Sequence, residues 1–303
     1  MAKNSVKRND YVEIASYLFF EEYKKERRGE VPGVIYNKFI TLLNRELKPE
    51  KDIGLPHYWY RWGDIVVAHC VPYTSWEHVT PRYTVVRWAG DIPNYDPNDK
   101  IVSLIRKNIA EFMVRHSGSE AHETAKDEVY EGAPFKFQNE YRKLRESLES
   151  LSKRSIMDNK WTYIDSLFNN AMDEFPKKEF KHIVNEKDKF EAVFRMGLKN
   201  KASEEDLFDL AELFWFFFCY HLRMNKKGHE NVPKETLNIW VEEIPWETMK
   251  IEHILQNYAY RFCIQMPGDK VITLLLEDRK KRMDKIDALM PVICEDRPGG
   301  IRG

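Results

Sequence analysis

The run Leu213-Phe214-Trp215-Phe216-Phe217-Phe218-Cys219-Tyr220 constrains the fold more than any other stretch of the chain. It lies in a helical pattern over 203–224 that opens with Ser203 and Asp206, a Ser-x-x-Asp capping box. A helix that is apolar on nearly every side is stable in water only when neighbours cover it all round. Glu212 and His221 bound the run well short of the ~18 apolar residues that a membrane span needs. The segment is therefore expected to be the central buried helix of a bundle. Helical periodicity predicts its companions at about 136–152, 158–173, 177–198, 234–242, 246–266 and 270–288.

The first third of the chain has a different character. Asp10 and Glu13 read as a capping box for a helix to about Arg28, with Tyr11, Ile14, Ala15, Leu18 and Tyr23 inward. After Val31-Pro32-Gly33, the spacing of Ile35, Phe39, Leu42, Leu43 and Leu47 predicts a second helix. Aromatic and β-branched residues then dominate, with short strands predicted at 65–68 and 83–88. A third helix is predicted from about Asn98 to His116. Ser117-Gly118-Ser119 is the expected boundary between a module at 1–118 and an all-helical bundle at 119–303. The expected class is mainly α with an α+β N-terminal part: a winged-helix-like module followed by a C-terminal helical bundle.

Composition limits the function. Lys and Arg number 48 against 49 Asp and Glu, which argues against a protein that coats nucleic acid by bulk charge. Residues 1–118 carry 18 basic against 15 acidic side chains (+3) and the remainder 30 against 34 (−4), which permits a local basic patch on the module. The N-terminus has Lys3, Lys7 and Arg8 but no apolar stretch behind them, so no secretory signal is read there and a cytoplasmic location without membrane contact is expected. Cys70, Cys219, Cys263 and Cys294 form no C-x-x-C pair, which leaves reduced cysteines as the expectation.

Leu55–Trp62 holds four aromatic rings, a histidine and an arginine, followed by Gly63. Two arrangements suit it. Trp59 and Trp62 could pack under the first two helices as a structural corner. Alternatively Tyr58, Tyr60 and Arg61 could face a partner, since Tyr, Trp and Arg dominate interface hot spots. On a winged-helix layout, Lys38, Arg45, Arg61, Arg82 and Arg87 are the candidates for phosphate contact, with DNA or a protein as partner.

Two stretches carry a family resemblance: Tyr36-Asn37-Lys38-Phe39-Ile40-Thr41-Leu42-Leu43 and Tyr60-Arg61-Trp62-Gly63-Asp64-Ile65-Val66. Together, within about residues 34–100, they resemble the Panacea-type antitoxin-like domain and related archaeal winged-helix-like proteins. In those proteins an Asn/Gln-Lys-hydrophobic-hydrophobic helix precedes an aromatic stretch ending in Tyr-Gly-Pro-Val. Here Trp62 stands for the tyrosine and Asp64 for the proline. The resemblance implies a non-enzymatic interaction or regulatory role in a defence or toxin–antitoxin setting.

An enzymatic alternative rests on Arg223 and His229, six residues apart at the end of the apolar helix. The pair is similar to the Arg-x(4–6)-His pattern of HEPN-type RNases, which are helical homodimers. There the histidine would move a proton of the 2′-hydroxyl and the arginine would stabilise phosphate charge, without a metal. Met224 departs from the polar residue usual after that arginine. A helical scaffold that binds only protein is the third expectation. His122-Glu123 lacks the second histidine of a zinc-protease helix, and no phosphate-binding glycine loop or Gly-x-Ser-x-Gly elbow occurs, so no cofactor or metal is expected.

Overall fold

The computed structural model describes residues 10–27, 29–80, 83–116, 121–153 and 159–263. Residues up to Ala259 belong to one compact unit, and Tyr260–Cys263, the end of the last helix, to a second one. The fold is mainly α with some β.

The N-terminal helices are α1 (Asp10–Arg27), α2 (Gly33–Leu47) and α3 (Lys100–Arg115). Aromatic rings join them: Phe19 stacks on Phe39 at 4.0 Å, Phe20 on Tyr36 at 5.2 Å, and Phe112 meets Phe39 edge-on at 5.3 Å. Polar groups within this core find partners in one another, as where the Ser16 and Tyr36 hydroxyls share a hydrogen bond of 2.6 Å. Asp99 caps α3 by accepting from the amides of Ile101 and Val102 at 2.6 and 3.1 Å.

Two small antiparallel sheets lie against these helices. In one, β1 (Val31–Pro32), β5 (Tyr83–Trp88) and β4 (Thr74–Thr80) run in the order β1-β5-β4. In the other, β2 (His57–Tyr60) is flanked by β3 (Gly63–Val66) and by β6 (His229–Glu230), a strand from far along the chain. The strand expected at 83–88 is β5, whereas the one expected at 65–68 overlaps β3 only at Ile65 and Val66, since Ala68 begins a 3₁₀ turn. The segment between α2 and β4, where a winged helix carries its groove-reading helix, is occupied by the β2–β3 hairpin and a 3₁₀ turn at Ala68–Cys70.

The expected boundary at Ser117–Ser119 falls outside the described residues. Beyond it come α4 (Ala121–Glu131), α5 (Lys136–Lys153), α6 (Lys160–Asp173), α7 (Val184–Lys199), α8 (Glu204–Leu222) and α9 (Lys234–Cys263). Helix α8 is central, as its apolar run requires: Trp215 stacks on Tyr141 at 5.5 Å and Phe214 on Phe190 at 4.2 Å. Ser203 caps it through the Asp206 amide at 3.1 Å. Cys219 sits wholly inside this core, where burial pushes its thiol pKa up.

Three expectations need correction. Helix α4 was not foreseen. The helix expected from residue 177 begins at Val184, because Pro176 leads into turns and a 3₁₀ segment at Lys181–Ile183. The two helices expected at 234–242 and 246–266 are one, passing through Pro245. Proline removes the hydrogen bond to residue i−4, here Val241, but both residues are exposed, so water can serve the freed carbonyl. The helix expected at 270–288 lies outside the described residues.

Gly228 is where β6 can reach β2. Its carbonyl accepts from the Trp59 amide at 2.7 Å, and a Cβ there would stand 1.9 Å from the Leu222 carbonyl oxygen. Gly228→Ala is expected to cost about 1–3 kcal/mol in urea unfolding, as overpacking against rigid backbone does. A loss below about 0.5 kcal/mol, the range of neutral surface changes, would contradict that account.

Candidate partner-binding site

The site is built on the turn between β2 and β3. Tyr60 pairs with Gly63, so Arg61 and Trp62 form a two-residue loop. Gly63 has φ +103°, and a Cβ there would meet the Lys38 ammonium at 2.8 Å, so the turn needs glycine at this position. The Lys38 ammonium, buried beneath it, donates to the Trp62 carbonyl. Asn37, the residue before it on α2, accepts from the Val66 amide at 3.0 Å through its side-chain oxygen. From the other side the Trp215 indole donates to the Arg61 carbonyl at 2.9 Å. Burial drives the Lys38 pKa down to about 8, with Asp64 working against the fall.

With its carbonyls held from below, the loop presents its side chains outward. Trp62 is 54% exposed. The Arg61 guanidinium lies 5.2 Å from the Trp62 ring and 5.6 Å from that of Phe216 on α8. It donates to Glu212 at 2.8 Å, and Arg145 of α5 donates to the other oxygen of the same carboxylate. Burial alone would raise the Glu212 pKa, but the two guanidiniums outweigh it and hold the carboxyl below its ordinary range. The Arg61 Nε is buried and has no partner. Lys250 of α9 reaches the Phe216 ring at 5.3 Å and pairs with Glu247 at 3.5 Å. One turn earlier on the same face, Trp246 is 70% exposed, and Met249 beside it is 56% exposed.

Beneath this surface the aromatic segment locks a second arginine. Arg223 is enclosed by Tyr220, Trp240 and Tyr60, with its guanidinium at 4.1, 4.7 and 5.8 Å from their rings, and it is paired with Glu243. The Tyr58 ring packs at a tilt against Trp240, 4.6 Å between centroids. His229 sits in β6 opposite Tyr58. Arg223, of the expected Arg223/His229 pair, is thus buried and paired with Glu243, while His229 lies in β6.

The other expected contact residues are also engaged. Lys38 is interior. Arg45 caps the end of α4 through the Glu128 carbonyl at 3.1 Å. Arg87 is exposed but bridges Glu77 and Glu30. Arg82 lies outside the described residues. The structure does not gather Lys38, Arg45, Arg61 and Arg87 onto one basic face; of the four, only Arg61 belongs to the Trp62 surface. Trp59 packs inward against Tyr130 at 5.5 Å, as expected of a corner, whereas Trp62 does the opposite. Sequence reasoning missed Trp62, Trp246, Arg145 and Lys250. For Trp62 a signal existed, since a loop residue just before a glycine leaves the strand's inward–outward alternation.

A charged clamp ties β6 to this hairpin. His57 Nδ1 lies 2.8 Å from Asp64 and its Nε2 3.6 Å from Glu230, which also binds Lys48 at 2.6 Å. Burial disfavours charge on His57, but the carboxylates of Asp64 and Glu230 prevail and raise its pKa to about 9. Among the described residues no cluster of His, Cys, Asp and Glu could hold a metal ion.

The His57 clamp makes stability depend on pH. Since its pKa is raised by folding, its contribution is complete below the ordinary value near 6.5 and is lost as pH climbs through 9. The stability difference between wild type and His57→Gln is expected to shrink by on the order of 2–3 kcal/mol between pH 6.5 and pH 10. Urea titrations at fixed pH measure it, and a difference independent of pH would refute the clamp. No family model matches the chain, and no curated protein or solved structure matches it.

Proposed function

We propose that this chain is a non-enzymatic interaction protein that engages a protein partner through the surface formed by Trp62, Arg61, Phe216, Lys250 and Trp246. The observation that carries it is Trp62, 54% exposed on a loop whose two carbonyls are held by the Lys38 and Trp215 side chains. A large ring displayed on a rigid support loses little entropy on binding, which is the property of an interface anchor. A second exposed tryptophan, Trp246, and two cations on one half-buried phenylalanine add the residue types in which such anchors are rich.

The resemblance to the Panacea-type domain is compatible with this reading. Its two matched stretches touch, since Asn37 and Lys38 bond Val66 and Trp62, which gives the shared pattern a physical reason. The strand order β1-β5-β4, with β4 and β5 as a hairpin, suits a winged-helix-like ancestry for the first module. DNA binding is the weaker form of the proposal, because the cations it would use are bonded within the chain.

Affinity capture from native lysate, followed by mass spectrometry, tests the proposal. Trp62→Ala and Trp246→Ala are each expected to reduce the captured partner at least about tenfold while changing stability by no more than about 0.5 kcal/mol. Ile92→Ala, on a loop residue that is 72% exposed, serves as the control. Capture unchanged in both tryptophan variants would reject the surface, and recovery of DNA lost steeply with salt would favour the first module instead.

A further inference from the structure

Which kind of partner fits this surface is decided by its charge. Among the described residues, ion pairs around Phe216 and Tyr220 set four cations, Arg61, Arg145, Arg223 and Lys250, against three carboxylates, Glu212, Glu243 and Glu247. The pairs are unequal in depth. Arg223 with Glu243 and Arg145 with Glu212 are interior pairings, in which the arginine side chains are only 7% and 9% exposed. Arg61 is the outer member, with 35% of its side chain exposed and a share in a carboxylate that Arg145 already neutralises. One positive charge is therefore left over, and it lies directly beside the exposed Trp62 ring.

We infer that the surface receives an acidic peptide segment, one of whose carboxylates takes the Arg61 guanidinium while a neighbouring apolar side chain lies on Trp62. This rests on the surface being a docking site at all. Arg61 presents a planar fork suited to a carboxylate, and a guanidinium next to an indole is already partly desolvated, so a second carboxylate gains more there than at an isolated surface arginine. Lys250, 5.3 Å from the Phe216 ring, is already paired with Glu247, which leaves Arg61 as the charge a carboxylate takes. A peptide is favoured over a nucleic-acid strand by the pattern. A phosphate backbone needs a row of unpaired cations to follow, whereas here one excess charge lies beside Trp62, with Trp246 and Met249 along α9, all more than half exposed.

The test uses the full chain and three fluorescein-labelled probes: a twelve-residue peptide repeating Glu-Glu-Phe, the matched Gln-Gln-Phe peptide, and a twelve-nucleotide oligothymidine. Anisotropy titrations at low and physiological salt are expected to show the acidic peptide binding at least tenfold tighter than the neutral one. Its binding should weaken about tenfold in Arg61→Gln and in Trp62→Ala, with Arg87→Gln as an unchanged control. Equal binding of the two peptides, or an acidic peptide indifferent to Arg61→Gln, would overturn the acidic class. So would tighter binding of the oligothymidine. If neither peptide binds while Trp62→Ala still abolishes partner capture, the surface stands and the acidic class falls; if capture is also unaffected, both fall.

Discussion

The buried ammonium of Lys38 is the interaction on which the rest of this architecture leans. It sits under the β2–β3 turn, bonds the Trp62 carbonyl and leaves no room for any residue but glycine at position 63. Taking a lysine out of water is costly, and burial lowers its pKa accordingly. The cost is offset by the geometry it enforces. With Asn37 holding Val66 and Trp215 holding Arg61, the hairpin is attached at once to α2 and to the central helix α8. The N-terminal α+β part and the helical bundle therefore meet through hydrogen-bonded backbone as well as packed side chains.

The same arrangement explains why an aromatic-rich segment serves two purposes. In a strand, alternate side chains face opposite sides, so Trp59 can pack on Tyr130 while Tyr58 and Tyr60 face the Arg223 enclosure. The turn lies outside that alternation, and Trp62 is delivered to the surface. Arginines are distributed in the same graded way: Arg223 enclosed by rings, Arg145 beneath a shared carboxylate, Arg61 at the edge. A nearly neutral chain can in this way carry a local excess of positive charge at one aromatic surface.

Much of the helical architecture was legible. Leu213–Tyr220 demanded a covered helix, and α8 is the one around which Tyr141 of α5 and Phe190 of α7 gather. The Ser203 cap read from the sequence marks a real helix start. Helix α4 was not legible, because its His-Glu-Thr-Ala-Lys-Asp-Glu run is polar and, among its described side chains, the buried apolar ones are Ala125, Val129 and Tyr130. Pro245 misled by its local chemistry: a proline ends a helix unless the freed carbonyl can be solvated, and that depends on which face is outside.

The sequence by itself determined most of the helical segments, that one of them must be central, and that Leu55–Val66 is rich in rings. Those properties follow from periodicity and from the need to cover apolar surface, which are local or nearly so. Tertiary structure alone decided which charges are free. Lys38, Arg45, Arg87 and Arg223 look alike in sequence as exposed cations, and each is claimed by a partner far along the chain: Trp62, Glu128, Glu30 and Glu243 respectively. Ion pairs and hydrogen bonds between distant segments leave no periodic trace, because any nearby carboxylate or carbonyl can satisfy a cation. The emergence of Trp62 and Arg61 at one surface, and of β6 beside β2, depends on that long-range pairing.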